Sequence, residues 1–277
     1  MAFSQQPDTI AALGAPLAHG RTATVYAWGD SKVLKLFAPE WSKGAVEYEA
    51  DVARRAQATG VPMPAVGDVV SIEGRLGIVY ARVHGETLLQ QFGARPWQAL
   101  TIIRCLAELH ADMHRRSAPS LPAQRQRLAR RIRQPEQLPA RLRGQALAAL
   151  DSLPDGDRLC HGDFHPDNVL ITANGPVIID WVDATHGNPL ADVARTYVLF
   201  RLAAASESPP KRWWYKPLLD ALSLYYLRRY RLLRPFAQGD FQRWLIPVLA
   251  ARMDEHVPGE AGRIVETLER LCARERI

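Results

Sequence analysis

The feature that most constrains this chain is an island of strand-forming sequence set among helical sequence, running from Leu159 to Trp181. Cys160-His161-Gly162-Asp163-Phe164-His165-Pro166-Asp167-Asn168 is too rich in Gly, Pro and acid for a helix or a buried strand, so it reads as a loop presenting polar side chains. Val169-Leu170-Ile171 and Pro176-Val177-Ile178-Ile179 follow, separated by Asn174-Gly175, the strongest short-range hairpin signal. With Asn174 and Gly175 as the turn, residues 169–173 pair antiparallel with 176–180. Asp180 then faces Val169, and Asn168 lies one step beyond. Asn168 and Asp180 are expected to meet, about 5 Å apart.

The rest of the chain divides around a joint. Thr24-Val25-Tyr26-Ala27-Trp28, the turn Gly29-Asp30-Ser31 and Lys32–Phe37 read as a hairpin, and Ser42 to Ala58 as a helix ended by Gly60, Pro62 and Pro64. Leu76–Val83 reads as another strand. His84-Gly85-Glu86 then turns the chain into mostly helical sequence, beginning with Pro96–His114 and its apolar stripe of Leu100, Ile103, Leu106, Ala107 and Leu109. The expected class is α+β with two lobes: residues 1–83 a small antiparallel sheet plus a helix, residues 84–277 a larger, mainly helical lobe. Breaks are expected at Ser206-Glu207-Ser208-Pro209-Pro210 and at Pro258-Gly259.

At 277 residues and 47% hydrophobic, the chain is long and apolar enough for one large or two small cores, which excludes disorder. Cys105, Cys160 and Cys272 are odd in number and far apart, so no disulfide framework or zinc site is suggested. No apolar run is long enough to span a bilayer and the N-terminus lacks a basic segment followed by an apolar one, so a cytoplasmic protein with no membrane partner is expected. The formal charge of +6 is local: residues 115–143 hold nine Arg against one Glu. Interleaved Leu and Ala read as a solvated helix face, with an anionic acceptor as the alternative, and nucleic acid is not expected as a partner.

The polar loop and hairpin carry the chemistry. Two oxygen donors on neighbouring strands suit one hard cation, and a sparse Asn168/Asp180 pair suits Mg²⁺ bound with a nucleotide's phosphates better than a stand-alone metal site. Asp163, five residues before Asn168, is placed to accept the proton of a substrate hydroxyl during phosphoryl transfer. No G-x-x-x-x-G-K-[ST] or G-x-G-x-x-G occurs, so P-loop and Rossmann readings fall away.

His161-Gly162-Asp163-x-x-x-x-Asn168 followed by Ile179-Asp180-Trp181 resembles the catalytic loop and metal-binding aspartate of the aminoglycoside phosphotransferase and choline kinase families, relatives of the protein kinases. Gly187-Asn188-Pro189-Leu190-Ala191-Asp192-Val193-Ala194 is similar to those families' G-[DN]-P-x-x-D-[LV]-A segment, which implies that Asp192 braces the loop without reacting. The resemblance runs from Gly14 to Tyr197. It implies Asp163 as catalytic base, Asn168 and Asp180 as metal ligands, Lys35 on the nucleotide's α and β phosphates, and Glu49 paired with Lys35. Gly20 and Thr22 fall in the loop that would cover the phosphates. Arg82 and Val83 fall in the stretch 80–84 whose backbone would meet the nucleobase. The chain has only five lysines, which makes one at Lys35 less ordinary.

The implied activity is Mg²⁺-dependent transfer of the γ-phosphoryl group of ATP or GTP to a small-molecule hydroxyl, on a protein-kinase-like fold whose C-terminal helices build the acceptor site. The alternative is a non-catalytic kinase-like module that binds nucleotide or docks a partner. His161 and His165 read as organisers of the loop. His110 and His114, four apart on a helix without a third ligand in sequence, read as packing, as do Trp213-Trp214-Tyr215, Tyr225-Tyr226 and Tyr230. From Trp181 to Ile277 there are 15 Lys plus Arg against 11 Asp plus Glu, which argues against a polycationic acceptor.

Overall fold

A computed structural model describes residues 9–203 and 215–275. The expected break at Ser206–Pro210, Trp213, Trp214 and the side chain of Tyr215 lie outside the described residues. Along the chain run β1 (Ala18–His19), β2 (Ala23–Ala27), β3 (Lys32–Phe37), α1 (Lys43–Gln57), β4 (Val66–Ile72), β5 (Arg75–Ala81) and β6 (Glu86–Thr87). Then come α2 (Leu88–Ala94), α3 (Ala99–Met113), α4 (Gln124–Arg133), α5 (Ala140–Ser152), β7 (Arg158–Cys160), β8 (Val169–Thr172), β9 (Gly175–Ile178) and β10 (Thr185–Gly187). Then follow α6 (Pro189–Ala203), α7 (Tyr215–Leu233), α8 (Gln238–Arg252) and α9 (Ala261–Glu275). Two compact units result: one runs to Thr87 and takes in Val169–Val182, the other holds Leu88–Asn168 and the chain from Asp183 onward.

In the first unit an antiparallel sheet of order β1-β2-β3-β5-β4 packs against α1. Side chains alternate along β3, so Leu34 and Leu36 join one core with Trp28, Ile72 and Val79, while Phe37 joins another with Val46 and Ala50 of α1. Lys35 therefore points to the helix side. Ser42 starts α1 by accepting the Ala45 N–H on its Oγ at 3.2 Å, and the buried stripe Val46, Glu49, Ala50, Ala53, Ala56 has helical period. That stripe includes an acid facing the sheet. The turn of the β4–β5 hairpin, Glu73-Gly74, has both residues at positive φ (49° and 79°), the geometry that matches strand twist; β4 has no counterpart in the sequence reading.

The β8–β9 hairpin also lies in this unit, paired to β6, but its register differs from expectation. Val169 pairs with Ile178 and Thr172 with Gly175, so the turn is Ala173-Asn174, and Asp180 lies beyond the strand end instead of opposite Val169. The cause is local. Gly175, at φ 108°, supplies the positive φ after the turn, and Thr172 Oγ1 accepts the Asn174 N–H (3.0 Å) and donates to the Gly175 carbonyl (2.8 Å).

Among the described residues the second unit is helical apart from the β7–β10 pair. α3 buries Ile102, Ile103, Leu106, Ala107, His110 and Met113, whereas Leu100, expected in the apolar stripe, is 57% exposed. Three of the arginines of α4 correct the sequence reading as well. Arg125 bonds Asp155 and the carbonyls of Leu150 and Leu153, and Arg127 and Arg131, one turn apart, both pair with Asp183. Arg125, Arg127 and Arg131 thus serve contacts within the fold, while Arg130 and Arg133 of the same helix are exposed, as a solvated face would have them.

Candidate active site

Lys35 stands between two carboxylates in the first unit. Its Nζ lies 2.7 Å from Glu49 Oε1 and 2.9 Å from Asp180 Oδ1. Strand alternation aims Lys35 at α1, the apolar stripe of α1 aims Glu49 back, and the end of β9 delivers Asp180. Burial opposes the charge on Lys35, but Asp180 and Glu49 outweigh it and hold the ammonium's pKa above its ordinary value. Asp180 takes φ 64°, a left-handed conformation that Asp tolerates better than most residues.

Gly20 and Thr22 form the β1–β2 loop of the same unit, where Gly20 N donates to Ala23 O at 2.9 Å and Thr22 O accepts from Ala38 N at 3.1 Å. Of the stretch after β5, the amides of Ala81 and Arg82 are already bonded, to the carbonyls of Ala65 (2.9 Å) and Ser31 (2.8 Å).

The catalytic-loop candidates lie in the second unit. Gly162 takes φ 81°, and a Cβ there would stand 2.5 Å from the Asp183 carbonyl, so the turn into Asp163 needs glycine. Asp163 Oδ1 receives Arg195 Nη2 at 3.0 Å, and its Oδ2 lies 3.4 Å from His165 Nε2. Burial pushes the Asp163 carboxyl up, but the His165 hydrogen bond and the Arg195 charge prevail and hold it well below the usual carboxylate range. Asn168 Nδ2 donates to the Asp163 carbonyl at 2.9 Å, so its side-chain oxygen is the atom that could hold a cation.

Asp192 braces this loop. Its Oδ2 accepts the His161 N–H (2.6 Å) and its Oδ1 the Gly162 N–H (2.8 Å). Behind it, His110 Nε2 and His114 Nε2 approach Oδ2 at 3.1 and 3.3 Å, while their Nδ1 atoms meet the hydroxyls of Tyr226 (2.6 Å) and Tyr230 (2.7 Å). A carboxylate can only accept, so each Nε2 carries the proton and each Nδ1 accepts from tyrosine. Burial lowers the pKa of both imidazoles, that of His114 to about 3, and both are neutral. Asp192 thus supplies a third group beside the histidine pair that sequence spacing did not reveal. Every polar atom of the three has a hydrogen-bond partner, and Tyr226 and Tyr230 are buried in this network.

The sequence reading missed Arg195 and Glu255, which pair at 2.7 Å beside Asp163. Only Arg195's place one turn after Asp192 on a helix gave a signal.

The model of the phosphotransferase enzyme family, APH, matches residues 14–245. Among solved structures, a thermostable mutant of aminoglycoside phosphotransferase APH(4)-Ia in ternary complex with ADP and hygromycin B aligns at TM-score 0.62 and 17% identity, over 94% of this chain and 92% of that one. Amicoumacin kinase hAmiN in complex with AMP-PNP, Ca²⁺ and Ami aligns at TM-score 0.64 and 13% identity, over 96% and 89%. A choline/ethanolamine kinase family protein from Mesorhizobium loti aligns at 0.59 and 19%, over 95% and 90%. No curated protein matches. At these identities the structural likeness establishes the fold, which is α+β and protein-kinase-like.

Proposed function

The chain belongs to the phosphotransferase enzyme family, a family of small-molecule kinases, and from that premise we propose that it moves the γ-phosphoryl group of ATP or GTP to a hydroxyl of a small molecule with the aid of Mg²⁺. The observation that carries the reading is Lys35 held at 2.7 and 2.9 Å between Glu49 and Asp180. A partly buried ammonium kept charged at a fixed point matches the α and β phosphate oxygens of a nucleotide. ADP and AMP-PNP in the structures of APH(4)-Ia and hAmiN support a nucleotide co-substrate. Gly20 and Thr22 cover the phosphates. Since the Arg82 amide is bonded to Ser31, the backbone contact to the base falls to the Arg82 carbonyl and to Val83.

The donor set suits a hard cation. Asp180 offers a carboxylate on a side chain 40% exposed, and Asn168 a carbonyl oxygen. When bound, Mg²⁺ supplies neutralising charge to the phosphate oxygens. Asp163 orients the acceptor hydroxyl as an anionic hydrogen-bond acceptor. As the acceptor oxygen bonds to the γ-phosphorus, the bond to the β-phosphate oxygen breaks, the hydroxyl proton passes to the Asp163 carboxylate, and the nucleoside diphosphate leaves. Asp183 and Glu255, in the arginine network beside Asp163, are already paired with Arg127, Arg131, Arg195 and Arg252. That pairing supports a neutral or anionic acceptor over a polycation.

Asp163→Ala is expected to abolish phosphoryl transfer while Mg²⁺-nucleotide affinity by calorimetry stays at the wild-type value. Unchanged turnover would remove Asp163 from the role of base.

A further inference from the structure

Three side chains along one face of α6 meet four consecutive residues of the Asp163 loop in order. Asp192 accepts the N–H groups of His161 and Gly162. One turn on, Arg195 donates Nε to the Gly162 carbonyl at 3.2 Å and Nη2 to Asp163 Oδ1 at 3.0 Å. Thr196 donates its hydroxyl to the Phe164 carbonyl at 2.7 Å. The spacing i, i+3, i+4 puts all three on the same stripe. Asp192 and Thr196 fix backbone, and Arg195 alone of the three holds the side chain of Asp163.

A carboxylate on a short side chain has several rotamers, and a guanidinium donor on one oxygen selects among them. With Oδ1 taken by Arg195, Oδ2 faces His165 Nε2 at 3.4 Å. Arg195 is itself restrained. Glu255, in the 3₁₀ turn Met253–Glu255 after α8, places Oε1 2.7 Å from Arg195 Nη2, and Arg252 bonds the other oxygen of Glu255. The arginine is 7% exposed, so its fork has no solvent to swing into. Net stability is a weak reason for such a cluster, because desolvating the charges offsets most of their attraction. One of its contacts, Arg195 Nη2 to Oδ1, reaches the Asp163 carboxylate.

We propose that Arg195 is a positioning residue for phosphoryl transfer: it fixes the Asp163 carboxylate in the orientation that receives the acceptor hydroxyl, and Glu255 fixes Arg195. The inference rests on the role given to Asp163 above. It places part of the control of turnover in α6 and in the turn after α8, outside the loop motif.

The test follows ADP release from Mg²⁺-ATP with water as the acceptor, in the full chain, together with the thermal shift given by Mg²⁺-ATP. In Arg195→Met, turnover falls on the order of 100-fold, the cost of a misplaced reacting group, while the KM for ATP and the thermal shift stay at wild-type values. Arg195→Lys regains part of the turnover, because an ammonium restores one donor to Asp163 without the fork. Glu255→Gln lowers turnover less, again at unchanged KM. Wild-type turnover in Arg195→Met overturns the proposal, as does loss of ATP affinity in step with turnover and no recovery with lysine. Should Arg195→Met fail to fold, wild-type turnover in both Arg195→Lys and Glu255→Gln overturns it. Wild-type turnover that is absent, or that survives in Asp163→Asn, sinks the underlying reading; turnover lost in Asp163→Asn but kept in Arg195→Met sinks this inference alone.

Discussion

Asp180 combines a left-handed backbone, φ 64°, with an ion pair to Lys35, and both bear on how its role is tested. Alanine in that conformation costs about 1–2 kcal/mol, whereas Asn visits it readily, so Asp180→Asn removes the charge with less damage to the fold. In Asp180→Asn the Mg²⁺-dependent part of nucleotide affinity should fall while unfolding stays close to wild type; equal affinity by calorimetry would reject Asp180 as a metal ligand. Glu49→Ala leaves Lys35 with Asp180 as its one carboxylate partner of the two. A loss of about 1–3 kcal/mol in stability and a raised KM for ATP are expected from denaturant unfolding and kinetics. An unchanged KM would make Glu49 a structural acid only. The Lys35 and Glu49 pairing was legible because strand alternation and helix period each aim one side chain. Arg195 was not, because its one signal, a place one turn after Asp192 on the helix face that meets the loop, does not show that its side chain reaches Asp163.

α3, α6 and α7 meet in the His110, His114, Asp192, Tyr226 and Tyr230 network, and that packing carries a pH dependence. Both imidazoles are neutral in the fold with lowered pKa, against about 6.5 in the unfolded chain. The groups facing them are Asp192, which favours protonation, and His161 and Arg234, which oppose it. Below pH 6.5 the unfolded state binds more protons, so their contribution is complete above that pH and is lost as pH falls. For His114, whose folded pKa is about 3, the loss is about 1.4 kcal/mol per pH unit below 6.5, or about 2 kcal/mol at pH 5, and His110 adds to it in the same direction. Urea unfolding at pH 7.5 and 5.0 should show this loss, and His114→Gln should reduce it by about 2 kcal/mol; an identical loss would mean that His114 does not titrate in the unfolding reaction. The third group of the network was invisible to spacing on one helix. The β8–β9 register was misread for a related reason: Asn174-Gly175 marks a hairpin, but the Thr172 hydroxyl and the φ of Gly175 set which residues turn.

For the whole molecule, sequence patterning located the small sheet, α1 and the change to helical structure, because each rests on local period and turn chemistry. β4 and the internal pairing of the α4 arginines escaped it, since these depend on partners distant in the chain. The family and the fold are consistent with the motif in the loop 161–168 and with the Gly187–Ala194 segment. The central claim is that this chain binds a metal-nucleotide through Lys35 and Asp180, and thermal unfolding tests it most directly. Mg²⁺-ATP or Mg²⁺-GTP at about 100 times its Kd should stabilise the wild-type protein by roughly 2.7 kcal/mol, a rise of several degrees in Tm, and most of that rise should vanish without Mg²⁺ or in Asp180→Asn. No rise with either nucleotide at millimolar concentration, or the same rise in Asp180→Asn, contradicts the account.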